Sequence, residues 1–334
     1  MTEPLEPVGL VSFGLFLPEG RQTAAELAAQ SGLAVEELTE LGLVRRCLPG
    51  PKDQPVAMAA RAASQALEMT DLVGPKEVDL LLFIGEEYKD YIAQTASIRI
   101  QEELGCHQAW AFDLVGQGVT SLVGLRVARD LMIGDRSIRT ALLAGGTRNL
   151  DLVDPKNPAT RFLLPSSASG GAIILRRGHA HNRLREVAFR VDFQMADQVY
   201  VPGGGTENPV TLENLGSDQM SFQVRDPALV ADYLKTRYPQ ALMEVIQRVS
   251  GPTPPDYLAL GHLAPAQREK VLSGLKLSPD RSPPLYLWGR HGPMDPLLSL
   301  DLGLSSGALE EGRRVVLAGG GIGFTFGAAL VEWG

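Results

Sequence analysis

Cysteine is almost absent from this chain: Cys47 and Cys106 are its only two in 334 residues, too few for a disulfide framework. Long apolar runs are absent too. None approaches the ~18 residues that a membrane-spanning helix needs, so no membrane partner is expected. The opening Met1-Thr2-Glu3-Pro4-Leu5-Glu6 lacks the basic-then-apolar order of a secretory signal, and the expected location is cytoplasmic. Lys and Arg gather nowhere beyond pairs such as Arg45-Arg46 or Arg176-Arg177, and the formal net charge is -8, so nucleic acid is not an expected partner. The Gly-rich segments contain no Gly-Lys-Ser/Thr, which argues against phosphate cradling.

What is present is the composition of a globular protein, with 44% hydrophobic and 21% charged residues over a length that suits one large or two fused domains. Four apolar segments of the first half recur in order in the second. Val8-Gly9-Leu10-Val11-Ser12-Phe13 matches Val187-Ala188-Phe189-Arg190-Val191, and the strand around Leu82 matches that around Leu260. Ala109 to Asp113 matches Leu285-Tyr286-Leu287-Trp288-Gly289, and the strand around Leu143 matches that around Leu317. Leu82 to Leu143 is 61 residues and Leu260 to Leu317 is 57, so the spacing is kept. Helical patterns separate the strands at 56–67, 95–103, 240–249 and 265–275. Short apolar strands alternating with helices predict sheets covered on both faces. The expected division is an N-terminal half, 1–178, and a C-terminal half, 179–334.

The segment Ala111-Phe112-Asp113-Leu114-Val115-Gly116-Gln117-Gly118-Val119-Thr120-Ser121 is an apolar strand turning into a helix, whose apolar positions continue at Leu122, Val123, Val127 and Leu131. The free N–H groups of a helix start favour negative charge, which lowers a thiol pKa or stabilises an oxyanion there. This elbow has no nucleophile at Gly118. If it bulges by one residue, Gln117 takes the position instead, and a carboxamide donates hydrogen bonds but is not acylated. Thr120 and Ser121 are the nearest hydroxyls, but in a first helical turn their commoner role is capping. Cys47 and Cys106 read as small buried apolar residues. A polar excursion from Met195 to Gln223 runs over the surface, placed to cap a site.

These residues resemble a known group, the thiolase-fold condensing enzymes, and within it the β-ketoacyl-acyl-carrier-protein synthase III branch. Gly42-Leu43-Val44-Arg45-Arg46 is similar to the family's Gly-Ile-x-x-Arg segment. Leu104-Gly105 and Ala111-Phe112-Asp113 resemble the run into its nucleophile, and Gly203-Gly204-Gly205 falls at its capping excursion. Gly321-Ile322-Gly323-Phe324-Thr325-Phe326-Gly327 is similar to its closing Gly-Gly-Gly-Phe-Thr-Trp-Gly signature. The resemblance implies an α/β fold: a duplicated thiolase fold in five layers, αβαβα. It also implies a dimer, homodimer or heterodimer with a homologue, formed near Phe112. The implied substrate is an acyl-CoA or acyl-carrier-protein thioester, without cofactor or metal.

Carried over residue by residue, the family's Cys falls on Gly118, its His is kept as His262, and its Asn is replaced by Arg290 with His291 beside it. The residues expected to grip coenzyme A fall on Glu36 and Glu40, and Ser167 to Ala172 replaces the Gly-Asp-Gly-Ala-Gly-Ala loop. Arg290 and His291 are expected to add positive charge for an anionic ligand. Glu86 and Glu87 are expected at the site mouth, where a carboxylate serves as base in the hydroxymethylglutaryl-coenzyme A synthase branch. The candidate catalytic residues are therefore His262, Gln117, Gly118, Arg290 and His291, and the candidate substrate-binding residues Glu87, Gly321, Gly323 and Phe324. Three functions stand open. One is a synthase III-like acyltransferase with altered or lost condensing activity, and another a non-catalytic partner of an active homologue. The third is a Cys-independent malonyl decarboxylase or ester-forming acyltransferase using His262 with Gln117, Arg290 or a Glu.

Overall fold

A computed structural model describes residues 6–334; the signal-peptide reading of residues 1–5 lies outside the described residues. The chain opens with β1 (Val8–Phe16), then β2 (Gly20–Thr23) and β3 (Arg45–Leu48), a hairpin enclosing α1 (Ala24–Ser31) and α2 (Val35–Glu40). Next come α3 (Pro55–Glu68), β4 (Leu80–Phe83), α4 (Ala96–Leu104), β5 (Trp110–Asp113), α5 (Thr120–Gly134), β6 (Thr140–Thr147) and β7 (Ser169–Arg177). β8 (Arg183–Val191) is followed by the short pair β9 (Val199–Tyr200) and β10 (Gln223–Val224), then α6 (Pro227–Lys235), α7 (Arg237–Ser250) and β11 (Tyr257–Leu260). α8 (Pro265–Gly274), α9 (Asp295–Ser305), β12 (Arg314–Gly321) and β13 (Thr325–Glu332) complete it.

The duplication is visible in the strand pairing. β4 runs parallel to β6, which pairs antiparallel with β7, which pairs antiparallel with β1. β11 runs parallel to β12, which pairs antiparallel with β13, which pairs antiparallel with β8. The two sets join at β1 and β8, where Gly9 stands opposite Arg183, and the expected boundary falls in the turn between β7 and β8.

Side-chain alternation along the strands sets the layers. Leu80 and Leu82, with Ile173 and Leu175, face the same central cluster as Tyr257, Ala259, Val315 and Leu317, and the residues between the two sheets come from α5 and α9. Leu81, Phe83 and Ile174 face the opposite way, onto α3 and α4. Leu258, Leu260 and Val316 face onto α6, α7 and α8. The order is therefore helix, sheet, helix, sheet, helix. Helix α3 lies close on its sheet because the strands below are glycine: a methyl group at Gly14, Gly146 or Gly170 would overlap its Ala62, Pro55 or Met58 carbonyl. No helix among the described residues is long and apolar enough to cross a membrane.

One expected strand is not formed. Leu285 to Gly289, read as the repeat of β5, makes a turn. Pro283 and Pro284 carry no N–H, Gly289 has φ +84°, and the Tyr286 and Trp288 carbonyls accept from Val44, Arg45 and Cys47 on the β2–β3 side. The apolar run therefore serves as a platform for the first half rather than as a sheet edge.

Candidate active site

The site begins where β5 ends. The Asp113 carboxylate pairs with Lys89 at 2.5 Å and accepts from the Ala96 and Ser97 amides, both at 2.9 Å, and from the Ser97 hydroxyl. Burial alone pushes this carboxyl up, but the bonds from Lys89, Ser97 and Ala96 outweigh it and hold it below its ordinary range. This anchors the strand end from which the elbow departs.

Gln117 takes φ +52°, a left-handed backbone uncommon for a residue with a side chain, and its carboxamide donates to Glu87 at 3.2 Å. Gly118 is buried and lines a small cavity with Glu86, Thr147, Ser166, Arg290 and Ile322. It packs against the β12 end so closely that a Cβ on it would stand 3.0 Å from the Gly320 carbonyl oxygen and the Gly321 Cα. Neither nearby hydroxyl is free. Thr120 Oγ1 accepts from the Gly116 amide at 3.1 Å and donates to the Gln117 carbonyl at 2.7 Å; buried Ser121 donates to the Pro293 carbonyl at 2.5 Å. The thiols are no substitute: both are buried, and burial pushes Cys106 up to about 11 and Cys47 upward too.

Across the repeat, His262 follows β11. Its Nε2 meets the Gly42 carbonyl at 2.9 Å, and since a carbonyl only accepts, Nε2 carries the proton and Nδ1 the lone pair. Burial pushes its pKa down to about 4, the neighbouring Arg290 adding to the effect, so the ring is neutral. Asp295, at the start of α9, accepts from the backbone amides of His262 at 3.0 Å and His291 at 2.6 Å and so fixes both segments. Burial raises this carboxyl to about 7, against the bonds from His262 and His291 and the Arg290 charge.

His291 narrows the expectation of one or two cations from Arg290 and His291 to one. It is fully buried, and burial drives its pKa down to about 3 against the Trp288 and Ala168 backbone groups that favour its charged form, so it is neutral. Arg290 brings positive charge to the cavity wall, and its Nη2 donates to the Gly320 carbonyl at 3.4 Å. The two mouth carboxylates also separate. Glu87 is exposed, whereas Glu86 is buried, accepts from the Thr147 hydroxyl at 2.5 Å, and is pushed above its ordinary range by burial against the Thr147 bond and Arg290.

Arg290 and Ile322 also line a larger cavity of about 300 Å³ with His262, Tyr238, Phe162 and Phe324. Phe324 is held edge-on by Tyr238, and Gly321 backs Gly118. Gly323, at φ +121°, shapes the β12–β13 turn and lines neither cavity. Glu36 and Glu40 are exposed on α2. Phe222, at the end of the polar excursion, reaches the smaller cavity. Sequence reasoning missed Asp295, Thr147 and Tyr238. An Asp directly before Pro296 at a helix start was the signal for the first.

Fold and elbow together define a thiolase fold. A 3-oxoacyl-(acyl carrier protein) synthase III from Pseudomonas aeruginosa PAO1 superposes with a TM-score of 0.83 at 23% identity, covering 98% of each chain. The OleA of Xanthomonas campestris with bound lauric acid and lauroyl-CoA does so at 0.81 and 17% identity, over 99% of this chain and 100% of that one. In sequence, the β-ketoacyl-[acyl-carrier-protein] synthase III of Agrobacterium fabrum is 25% identical over 338 residues, 96% of this chain and 98% of that protein. That of Brucella canis is 28% identical over 304 residues, covering 87% and 88%. No protein-family model matches the chain. In both fold and sequence, then, the chain is similar to β-ketoacyl-acyl-carrier-protein synthase III proteins.

Proposed function

We propose that this chain binds an acyl thioester, of coenzyme A or a carrier protein, in fatty-acid or polyketide-type metabolism, and that it has lost the condensing reaction because it is never acylated. The observation that carries this reading is the elbow: Gly118 has no side chain, the Thr120 and Ser121 hydroxyls are committed to backbone carbonyls, and both thiols are buried. The larger cavity supports a bound acyl group, with Phe162, Ile322 and Phe324 as apolar wall and Arg290 as the cation beside a polarised carbonyl. His262, neutral with an unprotonated Nδ1, and Gln117, aimed at Glu87, complete the polar surroundings; His291 supports the backbone from behind.

A thioether analogue of an acyl thioester tests the binding. Arg290→Ala is expected to weaken it at least tenfold by calorimetry, the range for losing one hydrogen bond to a charged donor. Unchanged affinity would remove Arg290 from the site.

The edge of β5 supports self-association or pairing with a Cys-bearing homologue: Trp110 and Val115 are 56% and 60% exposed there. Trp110→Arg is expected to convert a dimer to a monomer in light scattering.

A further inference from the structure

Gly118 borders a small cavity, and the groups around that space are not inert. The small cavity measures about 20 Å³, room for about one water by the usual requirement of 10–15 Å³ for its centre. Its polar lining residues are Glu86, Thr147, Asn149, Ser166, Ser167 and Arg290. Glu86 is only 8% exposed, and two contacts fix its position: Thr147 Oγ1 on Oε2, and Gly292, where an added methyl would lie 2.8 Å from Oε1. Arg290 and Ile322 belong to this cavity and to the larger one, so the carbonyl of an acyl group held in the larger space would lie at their common wall.

We propose that this chain hydrolyses acyl thioesters directly, with Glu86 as general base on a water held beside Gly118. The water oxygen attacks the thioester carbonyl carbon while Glu86 takes one of its protons, and the carbonyl oxygen becomes an oxyanion next to Arg290. Collapse breaks the C–S bond, Glu86 returns the proton to the departing sulfur, and the products are a carboxylic acid and a free thiol. No oxidant, metal or second substrate is needed. A buried carboxyl above its ordinary pKa suits a group that accepts and returns a proton within one turnover. This inference rests on the reading that the elbow is not acylated, and it adds a reaction to a site otherwise assigned only binding.

The experiment follows thiol release from acyl-coenzyme A substrates of graded chain length in water enriched in oxygen-18, with intact mass recorded during turnover. The expected result is one heavy oxygen in the acid, no acyl adduct, and a rate at least ~100-fold lower in Glu86→Gln, the low end for losing a general base. Glu86→Asp keeps the carboxylate one carbon further back and is expected to retain an intermediate rate, which separates lost chemistry from lost folding. Binding of the thioether analogue without any hydrolysis would overturn the hydrolase and leave the binding reading intact. Hydrolysis at an undiminished rate in a folded Glu86→Gln variant would also overturn it. An acyl adduct on the protein would overturn both readings.

Discussion

Gly118 and Gly321 pack backbone against backbone: a methyl group on Gly321 would stand 2.5 Å from the Gly118 amide nitrogen. The elbow and the β12–β13 return are therefore one packed unit. Gly321→Ala is expected to cost about 1–3 kcal/mol, the usual range for overpacking, read as a lower urea midpoint at unchanged slope. A neutral effect would show that the two segments move apart freely.

The same contact bears on restoring the nucleophile. Gly118→Cys places its Cβ 3.0 Å from the Gly320 oxygen and the Gly321 Cα, and the His262 Nε2 proton stays committed to Gly42. The single variant is expected to show no condensing activity with acetyl and malonyl thioesters. Condensation by it would mean that the remaining site is still competent.

Thr120 holds the elbow rather than serving as a nucleophile. Thr120→Val loses the bonds to Gly116 and Gln117 and is expected to lower stability by about 1–2 kcal/mol, with thioester turnover falling only as far as the fold does. Abolished turnover in a variant of normal stability would return the hydroxyl to the chemistry.

The buried titratable groups give the fold opposing pH dependences. Asp295, at about 7 against an ordinary 3.8, binds its proton more tightly when folded, so its contribution is full below about pH 4 and is lost as pH rises toward 7. His262 at about 4 and His291 at about 3, against 6.5, resist protonation when folded and destabilise the fold as pH falls below about 6.5. Wild-type stability relative to Asp295→Asn is therefore expected to fall between pH 4 and 7 in urea titrations. His291→Leu is expected to be less sensitive to acid than the wild type, since it removes a buried ring that resists protonation. Parallel pH curves for wild type and either variant would contradict these assignments.

Much of the architecture was legible because the physics that sets it is local. The apolar runs around Leu82, Leu143, Leu260 and Leu317 are the parallel core strands β4, β6, β11 and β12, and the helical patterns at 56–67 and 240–249 became α3 and α7. Leu285 to Trp288 misled because an apolar run does not say what its backbone will pair with, and two prolines before it removed the donors a strand needs. At the candidate site the sequence offered residue types, as at Gly118 and His262, to which the structure adds burial and partners. The site was not legible where burial decides: His291 and Arg290 are neighbours in sequence, yet one is neutral within the core and the other meets a cavity. Glu86 and Glu87 part in the same way, because the chain leaving β4 turns the first inward toward Thr147 and the second outward to Gln117.

The central claim is that an acyl thioester meets this elbow without acylating it. Intact-protein mass measurement after incubation with acetyl-, longer acyl- and malonyl-coenzyme A tests it most directly. The account predicts an unchanged mass with every substrate. A stoichiometric acyl adduct mapping to Thr120, Ser121, Cys47 or Cys106 would contradict it.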